Sequence, residues 1–308
     1  MNTTLTITKP YSRLLWRCCF VLLLCPLLML SSCGSDDDEE RITDSNTNCN
    51  STQLYPEASR LEFPRLASLN SLVIVHRADG DVNYCVEWDY ELKSQRWSCY
   101  TLNRQQLEGR TSRYSGNPQY PLDPDLPLHY YLDRPSEDYE TGDYYWGSGF
   151  DHGHICPSAD RLTSRLANYQ TFFLTNMQPQ YNKFNAGLWA DMENQVRVWA
   201  RNSGTQMMYI CKGGTIDKPA DVLSYVKNRL LVPRYFYMAL LLKNAQGYRA
   251  LAFWAKNENV DRSGDDLAKY VISIDELERL TGIDFFCNLP DDVEKSVEGT
   301  VGYNAWGL

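Results

Sequence analysis

The sequence of 308 residues predicts one mixed α+β domain behind an N-terminal leader. Three observations favour this class. Short apolar or β-branched runs occur in both halves of the chain, a long amphipathic helix lies between them, and neither a repeat nor a change of composition divides the chain after residue 60. With 21 Tyr and 8 Trp, the chain can bury a substantial core, which excludes a disordered protein.

Residues 1–32 have the pattern of a bacterial lipoprotein signal peptide. Basic residues precede an apolar run, residues 18–30, which has the length of a signal peptide and is short for a bilayer span. Small residues then stand directly before Cys33, as in a lipobox, where the cysteine becomes the lipidated first residue of the mature protein. An ordinary secretory signal and an uncleaved anchor are the alternatives, and each interpretation takes the protein out of the cytoplasm.

Residues 33–59 are predicted to form a flexible acidic tether ahead of a domain that spans residues 60–308. The acidic run at residues 36–40 is followed by a Ser/Thr/Asn-rich stretch without apolar periodicity. An acidic run just after a lipidated cysteine resembles the surface-export signal of some Gram-negative lipoproteins. We therefore expect an exported protein that is anchored to the outer membrane by a lipid on Cys33, with the cell surface as its further expected location.

The charge balance argues against tight binding to a polyanion. The formal net charge is −9, and the leader contributes only basic residues, so the mature chain is more acidic still. A negative protein does not gain affinity for nucleic acid by releasing counterions along the phosphate backbone. An enzyme acting on such a substrate needs only a local basic groove and a metal ion.

Six cysteines remain outside the leader and Cys33: Cys49, Cys85, Cys99, Cys156, Cys211 and Cys287. An even number in an oxidising compartment suggests disulfides. Cys85 and Cys99 flank a hairpin-like segment and are candidates to pair across it. Spacing alone does not determine the other pairings.

The strands of the domain follow from short apolar and β-branched runs. They are predicted at 72–76, 82–88, 96–102, 172–175, 207–211, 235–242 and 249–255. A polar turn at Lys93-Ser94 separates the second and third strands. Residues 109–149 are rich in Pro, Tyr, Asp and Gly, which predicts a long irregular connection with exposed aromatic side chains.

The helices follow from periodicity and capping. Residues 186–202 are predicted as an amphipathic helix because large apolar residues fall at helical spacing: Leu188, Trp189, Met192, Val196 and Trp199. Another helix is predicted at 275–281, ending at Gly282. Ser158 is a candidate helix cap after an extended segment, and residues 176–184 are predicted to be rich in turns.

The segment Asp151-His152-Gly153-His154 is the first candidate for chemistry. In an extended chain both histidines point to one face, because side chains alternate with a period of two. Gly153 would let another chain or a ligand approach closely. On its own the pattern fits a zinc site completed by Cys156, or simply two surface histidines.

Three downstream features bear on whether this segment has a catalytic role. Residues 176–180 read Asn-Met-Gln-Pro-Gln, and Asn185 lies near the start of the predicted helix. Glu193 and Arg197 are four residues apart, so they share a face of that helix. Taken singly, these are ordinary capping residues and a solvated ion pair.

Together, the order and spacing of these motifs resemble the DNA/RNA non-specific endonucleases of the ββα-metal superfamily. That family carries Asp-Arg-Gly-His, then Asn-x-x-Pro-Gln, then Asn-(x)7-Glu-(x)3-Arg. The resemblance covers about residues 60–308, including the C-terminal segment 282–286. It implies an α+β fold of the ββα-metal (His-Me finger) type, with a central, mainly antiparallel sheet flanked by helices. It also implies a metal-dependent endonuclease that cleaves DNA and RNA without base specificity.

The resemblance also implies a role for each site residue. His154 would be the general base, and Asn185 would hold Mg²⁺, or another hard divalent cation such as Mn²⁺, through its amide oxygen. Glu193 would order the water shell of the ion, and Arg197 would offset charge in the transition state. Asp151 and Asn176 would orient the site.

One residue departs from the family pattern. His152 stands where the family has an arginine beside the scissile phosphate, and an imidazole is shorter and less strongly cationic. Two other interpretations therefore remain: a hydrolase of the same fold with a narrower phosphodiester substrate, and a surface lipoprotein that binds nucleic acid with an inactive site. A homodimer is a further candidate assembly.

Overall fold

The computed structural model describes residues 45–66, 70–132 and 143–308. The predicted signal peptide, Cys33 and the acidic run therefore lie outside the described residues. Within the described ranges, no helix is both long enough and apolar enough to cross a lipid bilayer.

A seven-stranded antiparallel sheet forms the centre of the domain. Its spatial order is β1-β2-β3-β6-β9-β10-β11. The strands are β1 (Ser71–Ala78), β2 (Asp81–Asp89), β3 (Ser94–Leu102), β6 (Thr205–Gly214), β9 (Tyr235–Asn244), β10 (Gly247–Lys256) and β11 (Val271–Ile272). Two hairpins lie outside this sheet: β4 (Asp151–His154) with β5 (Met177–Gln180), and β7 (Val222–Val226) with β8 (Leu230–Pro233).

Both faces of the large sheet are buried. Its central strands carry consecutive apolar residues, and successive side chains point to opposite faces of the sheet. In β9, Met238 and Leu240 pack into one hydrophobic cluster, whereas Ala239 and Leu241 pack into the other. Helix α2 (Ala190–Arg201) covers the first cluster, and we call this side the α2 face. Helices α3 (Ile274–Thr281) and α4 (Asp291–Glu298) cover the second, which we call the α3 face.

The β4–β5 hairpin and the helix after it form a ββα unit. Asp151 pairs with Gln180, and His154 with Met177. The chain then enters a π-helix, Phe184–Trp189, that continues directly into α2. Gly187 makes this junction possible: its backbone is non-helical, and a Cβ there would lie 2.8 Å from Ser263 Oγ.

Most predicted elements are confirmed. The first three strands, the later strands in β6, β9 and β10, and the helix around 186–202 are present. Lys93 adopts a left-handed turn conformation with φ of 52°. Gly282, with φ of 80°, ends α3 as expected. The sequence patterns did not predict the helices α1 (Arg165–Gln170), α4 and α5 (Tyr303–Trp306), the short strand β11 or the β7–β8 hairpin.

Two local predictions are wrong. Residues 172–175 are not a strand, because Phe172 and Phe173 continue the turn of α1 through bonds to carbonyls three residues earlier, and a 3-10 turn follows. The strand of this region is β5, inside the stretch predicted to be turn-rich. Ser158 begins a short 3-10 turn with no side-chain cap, and Ser164 caps α1 instead. A four-residue apolar run cannot by itself distinguish a strand from a buried turn.

The predicted tether is also shorter than expected. The segment from Ser45 onward packs against the C-terminal part of the domain rather than extending freely. Asn46 donates to the carbonyls of Cys287 and Leu289, and Asn48 donates to Asp284 and Glu294. These polar side chains cap buried backbone and carboxyl groups, so a composition typical of a linker serves here as a structural clasp.

Three of the cysteines lie side by side in the large sheet. Cys85 in β2 is directly opposite Cys99 in β3, which is directly opposite Cys211 in β6. All three side chains are buried in the α3-face cluster. All three are free thiols in the structure, so Cys85 and Cys99 are neighbours without a bond between them. A disulfide between them stays a prediction.

Candidate active site

A cleft of about 570 Å³ lies beside the β4–β5 hairpin. Three of the predicted site residues on β4 line it, together with Asn185 of the π-helix. The opposite side is formed by two parts of the irregular connection, 113–120 and 143–150. The ββα unit therefore brings Asp151, His152, His154 and Asn185 into one cleft, as predicted.

His154 is held as a neutral imidazole with one free nitrogen. Burial, followed by the positive charge of Arg113, lowers the pKa of His154 to about 3, and a hydrogen bond with the backbone of His152 opposes the shift. The Nε2 atom is inaccessible and has no hydrogen-bond partner. The ring is therefore unprotonated at neutral pH, as a general base must be, but a pKa this low also makes it a weak proton acceptor in the free protein.

Asn185 is oriented by a neighbouring carboxylate. Its Nδ2 donates to Asp151 Oδ2 at 3.0 Å, and Asn182 donates to the same oxygen at 3.0 Å. Because the amide nitrogen of Asn185 is committed to Asp151, its amide oxygen is the atom left for a ligand. Asn185 lies in the π-helix, a rare kind of turn that frequently occurs at functional sites.

His152 is fixed more rigidly than the sequence suggested. Its ring lies between those of Tyr120 and Tyr145, with centroid separations of 3.5 and 4.1 Å. Its Nε2 lies 2.7 Å from Asp143 Oδ2. Both faces of the imidazole are covered and one nitrogen is bound, so only part of the ring edge remains for contact with a substrate.

Gly153 and Asn176 fix the position of β4 beside the cleft. A Cβ on Gly153 would come within 2.4 to 2.6 Å of the Gln180 side chain, so the close neighbour is a facing side chain rather than a ligand. Asn176 bonds both the amide and the carbonyl of Cys156, at 2.9 and 2.8 Å. Asn176 thus holds the chain just after β4, and its orienting role in the site stays a prediction.

Glu193 is held in a buried ion pair with Lys212. Its Oε1 is 2.7 Å from Lys212 Nζ, and only 1% of the Lys212 side chain is exposed. The positive charge of Lys212 also contributes to the lowered pKa of His154. The Lys212 ammonium lies 4.7 Å from the Trp189 ring centroid, and the Trp189 indole donates to the His154 carbonyl at 3.4 Å.

Arg197 is likewise committed to a protein partner. Its Nη1 donates to Asp160 Oδ1 at 2.8 Å, and its Nη2 donates to Asn194. Burial alone would lower the pKa of Arg197, but Asp160 raises it. The alternative interpretation of Glu193 and Arg197 as a solvated ion pair is wrong, because each residue has a different buried partner. Neither residue lines the cleft in the described part of the chain.

Arg113 is a cleft residue that the sequence patterns did not single out. It is exposed, and within the described residues it is the one arginine or lysine that lines the cleft. Its guanidinium lies 4.8 Å from the Phe172 ring centroid. No local pattern marks this residue, because it belongs to a long connection whose path is set by tertiary contacts.

The zinc interpretation of the two histidines finds no support. Cys156 is buried, and burial raises its pKa to about 12, so it remains a thiol. Among the described residues, groups of three or more metal-binding side chains occur at His76-Asp123-Asp125 and at Asp275-Glu278-Glu298. Neither group includes a histidine of β4.

Comparisons with known proteins agree with this geometry. The family model described as DNA/RNA non-specific endonuclease matches residues 79–292. A protein named nuclease from the cyanobacterium Nostoc sp. is 29% identical over 227 residues, covering 71% of this chain and 76% of that protein. Human mitochondrial endonuclease G is 28% identical over 242 residues, covering 76% of this chain and 74% of that protein.

The fold is shared with a solved structure at lower sequence identity. A crystal structure of the EndoG/EndoGI complex matches with a TM-score of 0.56 and 19% identity, over 72% of this chain and 89% of that chain. This likeness confirms the expected fold, a central antiparallel sheet flanked by helices with a ββα unit at its side.

Proposed function

Because the chain belongs to the DNA/RNA non-specific endonuclease family, we propose that it is an exported, metal-dependent endonuclease that hydrolyses phosphodiester bonds in DNA and RNA with little base specificity. The chain is thus a nuclease, of the hydrolase class. One observation supports the mechanism most directly: His154, whose Nε2 is buried and uncommitted, and Asn185, whose amide is oriented by Asp151, line the same cleft.

The donor set fits a hard divalent cation, and Mg²⁺ is our proposal for it. Asn185 offers a neutral oxygen, and Asp151 brings a carboxylate against the same side chain. A site with one amide oxygen leaves most ligand positions to water, which suits Mg²⁺ because that ion gives up its water reluctantly. When bound, the ion would supply Lewis-acid stabilisation to the phosphate and to the leaving oxygen.

His154 acts as the general base in this proposal. Its Nε2 takes a proton from the water that attacks phosphorus. The lowered pKa leaves the ring unprotonated at neutral pH, and the negative charge of a bound phosphate would raise that pKa towards the value that a base needs. The hydrogen bond to the His152 backbone keeps the ring from turning. Asp151 and Asn176 hold Asn185 and β4 in place.

Arg113 is placed to contact the phosphate from the open side of the cleft. The predicted roles of Glu193 and Arg197 remain part of the proposal in an indirect form. The Glu193–Lys212 pair supports Trp189, whose indole donates to the His154 carbonyl, and Arg197 holds Asp160. Contacts to phosphate carry no base information, which is why a site with these groups is expected to cleave without sequence preference.

The test is digestion of plasmid DNA and of RNA by the purified chain, with Mg²⁺ and with EDTA. We expect cleavage of both substrates with Mg²⁺ and none with EDTA. His154→Ala is expected to lower the rate by about 10²- to 10⁴-fold, the usual contribution of a general base. Asn185→Ala is expected to lower it by at least about 100-fold, since a bound ion contributes several kcal/mol to the transition state.

Asn182→Ala is the matched control for Asn185→Ala. Both variants remove one hydrogen bond to Asp151 Oδ2, but Asn182 is exposed and does not line the cleft. Near-normal activity of Asn182→Ala would assign the loss in Asn185→Ala to its amide oxygen. Nucleic-acid binding without metal-dependent cleavage would instead favour an inactive binding protein, and full activity of His154→Ala would remove that residue as the base.

Export and anchoring belong to the same proposal. The leader 1–32 would direct secretion, and a lipid on Cys33 would hold the nuclease at the outer membrane. Cys33→Ser should move the protein from the membrane fraction to the soluble exported fraction. Retention in the membrane fraction would favour an uncleaved anchor.

A further inference from the structure

Three carboxyl groups meet where α3 and α4 pack together on the α3 face. Asp275 and Glu278 are three residues apart on α3, so they project from the same side of the helix. Glu298 is the last residue of α4. One oxygen of each of the three carboxyls lies within 4.8 Å of the others. Asp275 Oδ2 also lies beside Gly299, at 3.5 Å from the position a Cβ would take, so the cluster bridges the two helices.

Glu298 is the unusual member of this cluster. Only 6% of the residue is exposed, and its Oε1 is inaccessible and has no hydrogen-bond partner among the described residues. A buried carboxylate without a partner is strongly disfavoured. Its position at the C-terminal end of α4 adds to the cost, because the helix dipole is negative there.

The surroundings of Glu298 supply repulsion rather than a counter-charge. Burial, followed by four neighbouring carboxyls, raises the pKa of Glu298 to about 9; these are Glu278, Glu294, Asp284 and Asp275. Burial and three carboxyls likewise raise the pKa of Glu278 to about 7, against a hydrogen bond from the Phe285 amide. From the N-terminal segment, Asn48 contributes a neutral amide and Arg65 acts on Asp284.

We propose that Asp275, Glu278 and Glu298 bind a divalent cation of the Ca²⁺ type. An all-oxygen donor set selects a hard ion. Carboxylates from two helices form an irregular cage, which Ca²⁺ accepts with six to eight ligands and which Mg²⁺, with its strict octahedron, does not. Glu278 Oε1 accepts the Phe285 amide at 2.8 Å, which leaves its second oxygen for the ion. Asp275 is exposed, so water completes the shell.

This site is separate from the catalytic cleft. The cleft lies beside the ββα unit whose helix covers the α2 face, whereas α3 and α4 cover the α3 face. A cation between α3 and α4 would tie the C-terminal helices together and relieve repulsion among their carboxylates. Its effect is therefore on stability, and it is independent of the proposed nuclease activity.

The test is the thermal unfolding of the complete chain after treatment with a chelator, at pH 8, with 10 mM Ca²⁺ or 10 mM Mg²⁺. For an affinity in the range of extracellular calcium modules, we expect Ca²⁺ to raise Tm by roughly 4 to 10 °C and Mg²⁺ to raise it much less. Asn185→Ala should keep this shift, because it alters only the proposed catalytic ion site.

Glu298→Gln should abolish the Ca²⁺ shift while preserving the shape of the side chain. Glu276→Gln is the matched control, because Glu276 lies on the same helix but is paired with Arg279 on the surface. It should keep the full shift. No Ca²⁺-dependent shift in the wild type, or an equal shift in Glu298→Gln and Glu276→Gln, would overturn the proposal.

Discussion

Two clusters of buried acids, one on each face of the central sheet, differ in how their charge is balanced. On the α2 face, Glu193 is paired with Lys212, and Asp160 is paired with Arg197. On the α3 face, the charged groups that shift the pKa of Glu298 are all other carboxyls. Apolar side chains pack against both faces of the sheet, so the two clusters differ in how their charge is balanced rather than in how they are packed.

The comparison separates two ways of fixing a structure. On the α2 face, Lys212 and Arg197 balance the buried acids. The structure next to His154 therefore does not depend on protons or ions from solution. On the α3 face, the carboxyl cluster depends on protons or ions taken from solution. Catalytic groups need a fixed position, and His154 lies next to the cluster whose charge is balanced internally, through Lys212 and Trp189.

The same chemical change on the two faces should give the largest contrast. Glu193→Gln removes the charge that balances a lysine with 1% exposure, so we expect a loss of about 3 kcal/mol in the free energy of unfolding. Glu298→Gln removes a repelled charge, so at pH 8 we expect a change within about 1 kcal/mol, or a gain. Urea denaturation of both variants, with chelator, measures the difference. Equal losses would show that the two faces do not differ in charge balance.

The pH dependence of stability should carry the next largest effect. The folded-state pKa of Glu298, about 9, is above its unfolded value near 4.5, so its contribution is fully present below pH 4.5 and is lost as pH rises through 9. We therefore expect the chelated wild type to lose stability between pH 6 and pH 9. The slope for one such group is at most about 1.4 kcal/mol per pH unit.

Glu298→Gln should flatten this slope, and saturating Ca²⁺ should flatten it in the wild type. Glu276→Gln is again the control, because an exposed and paired acid should leave the slope unchanged. An unchanged slope in Glu298→Gln would place the titrating group elsewhere.

The smallest effect is expected from His152→Arg. A guanidinium is planar and cationic, so it can stack between Tyr120 and Tyr145 and still pair with Asp143. We expect stability within about 1 kcal/mol of the wild type and a cleavage rate that is equal or up to about tenfold higher. Thermal unfolding and plasmid digestion measure the two quantities. A large loss of activity with an intact fold would show that His152 has a catalytic duty of its own.

Local patterns in the sequence predicted the parts of the site that depend on local geometry. The alternation of β4 places His152 and His154 together, and the start of the helix carries Asn185 into the same cleft. Helical spacing also correctly put Glu193 and Arg197 on one side of α2. The strand predicted at 172–175 failed because an apolar run of that length is equally suited to a buried turn.

Partners from distant parts of the chain were beyond such patterns. The pairing of Glu193 with Lys212 depends on β6 lying under α2, and that of His152 with Asp143 depends on the path of a long connection. The segment from Ser45 onward has the polar composition of a linker, so its packing against the domain could not be predicted from that composition. Polar residues that satisfy buried groups and polar residues in water have the same composition, and only the tertiary structure distinguishes them.

The row of three cysteines across β2, β3 and β6 limits how many cross-links this sheet can hold. Cys99 faces Cys85 on one side and Cys211 on the other, and a sulfur forms one disulfide bond at a time. The two cross-strand bonds therefore exclude each other, and an odd sulfur is left over within the row whichever forms. An even count of cysteines thus does not translate into complete pairing: the parity of the whole chain differs from the parity of the cluster.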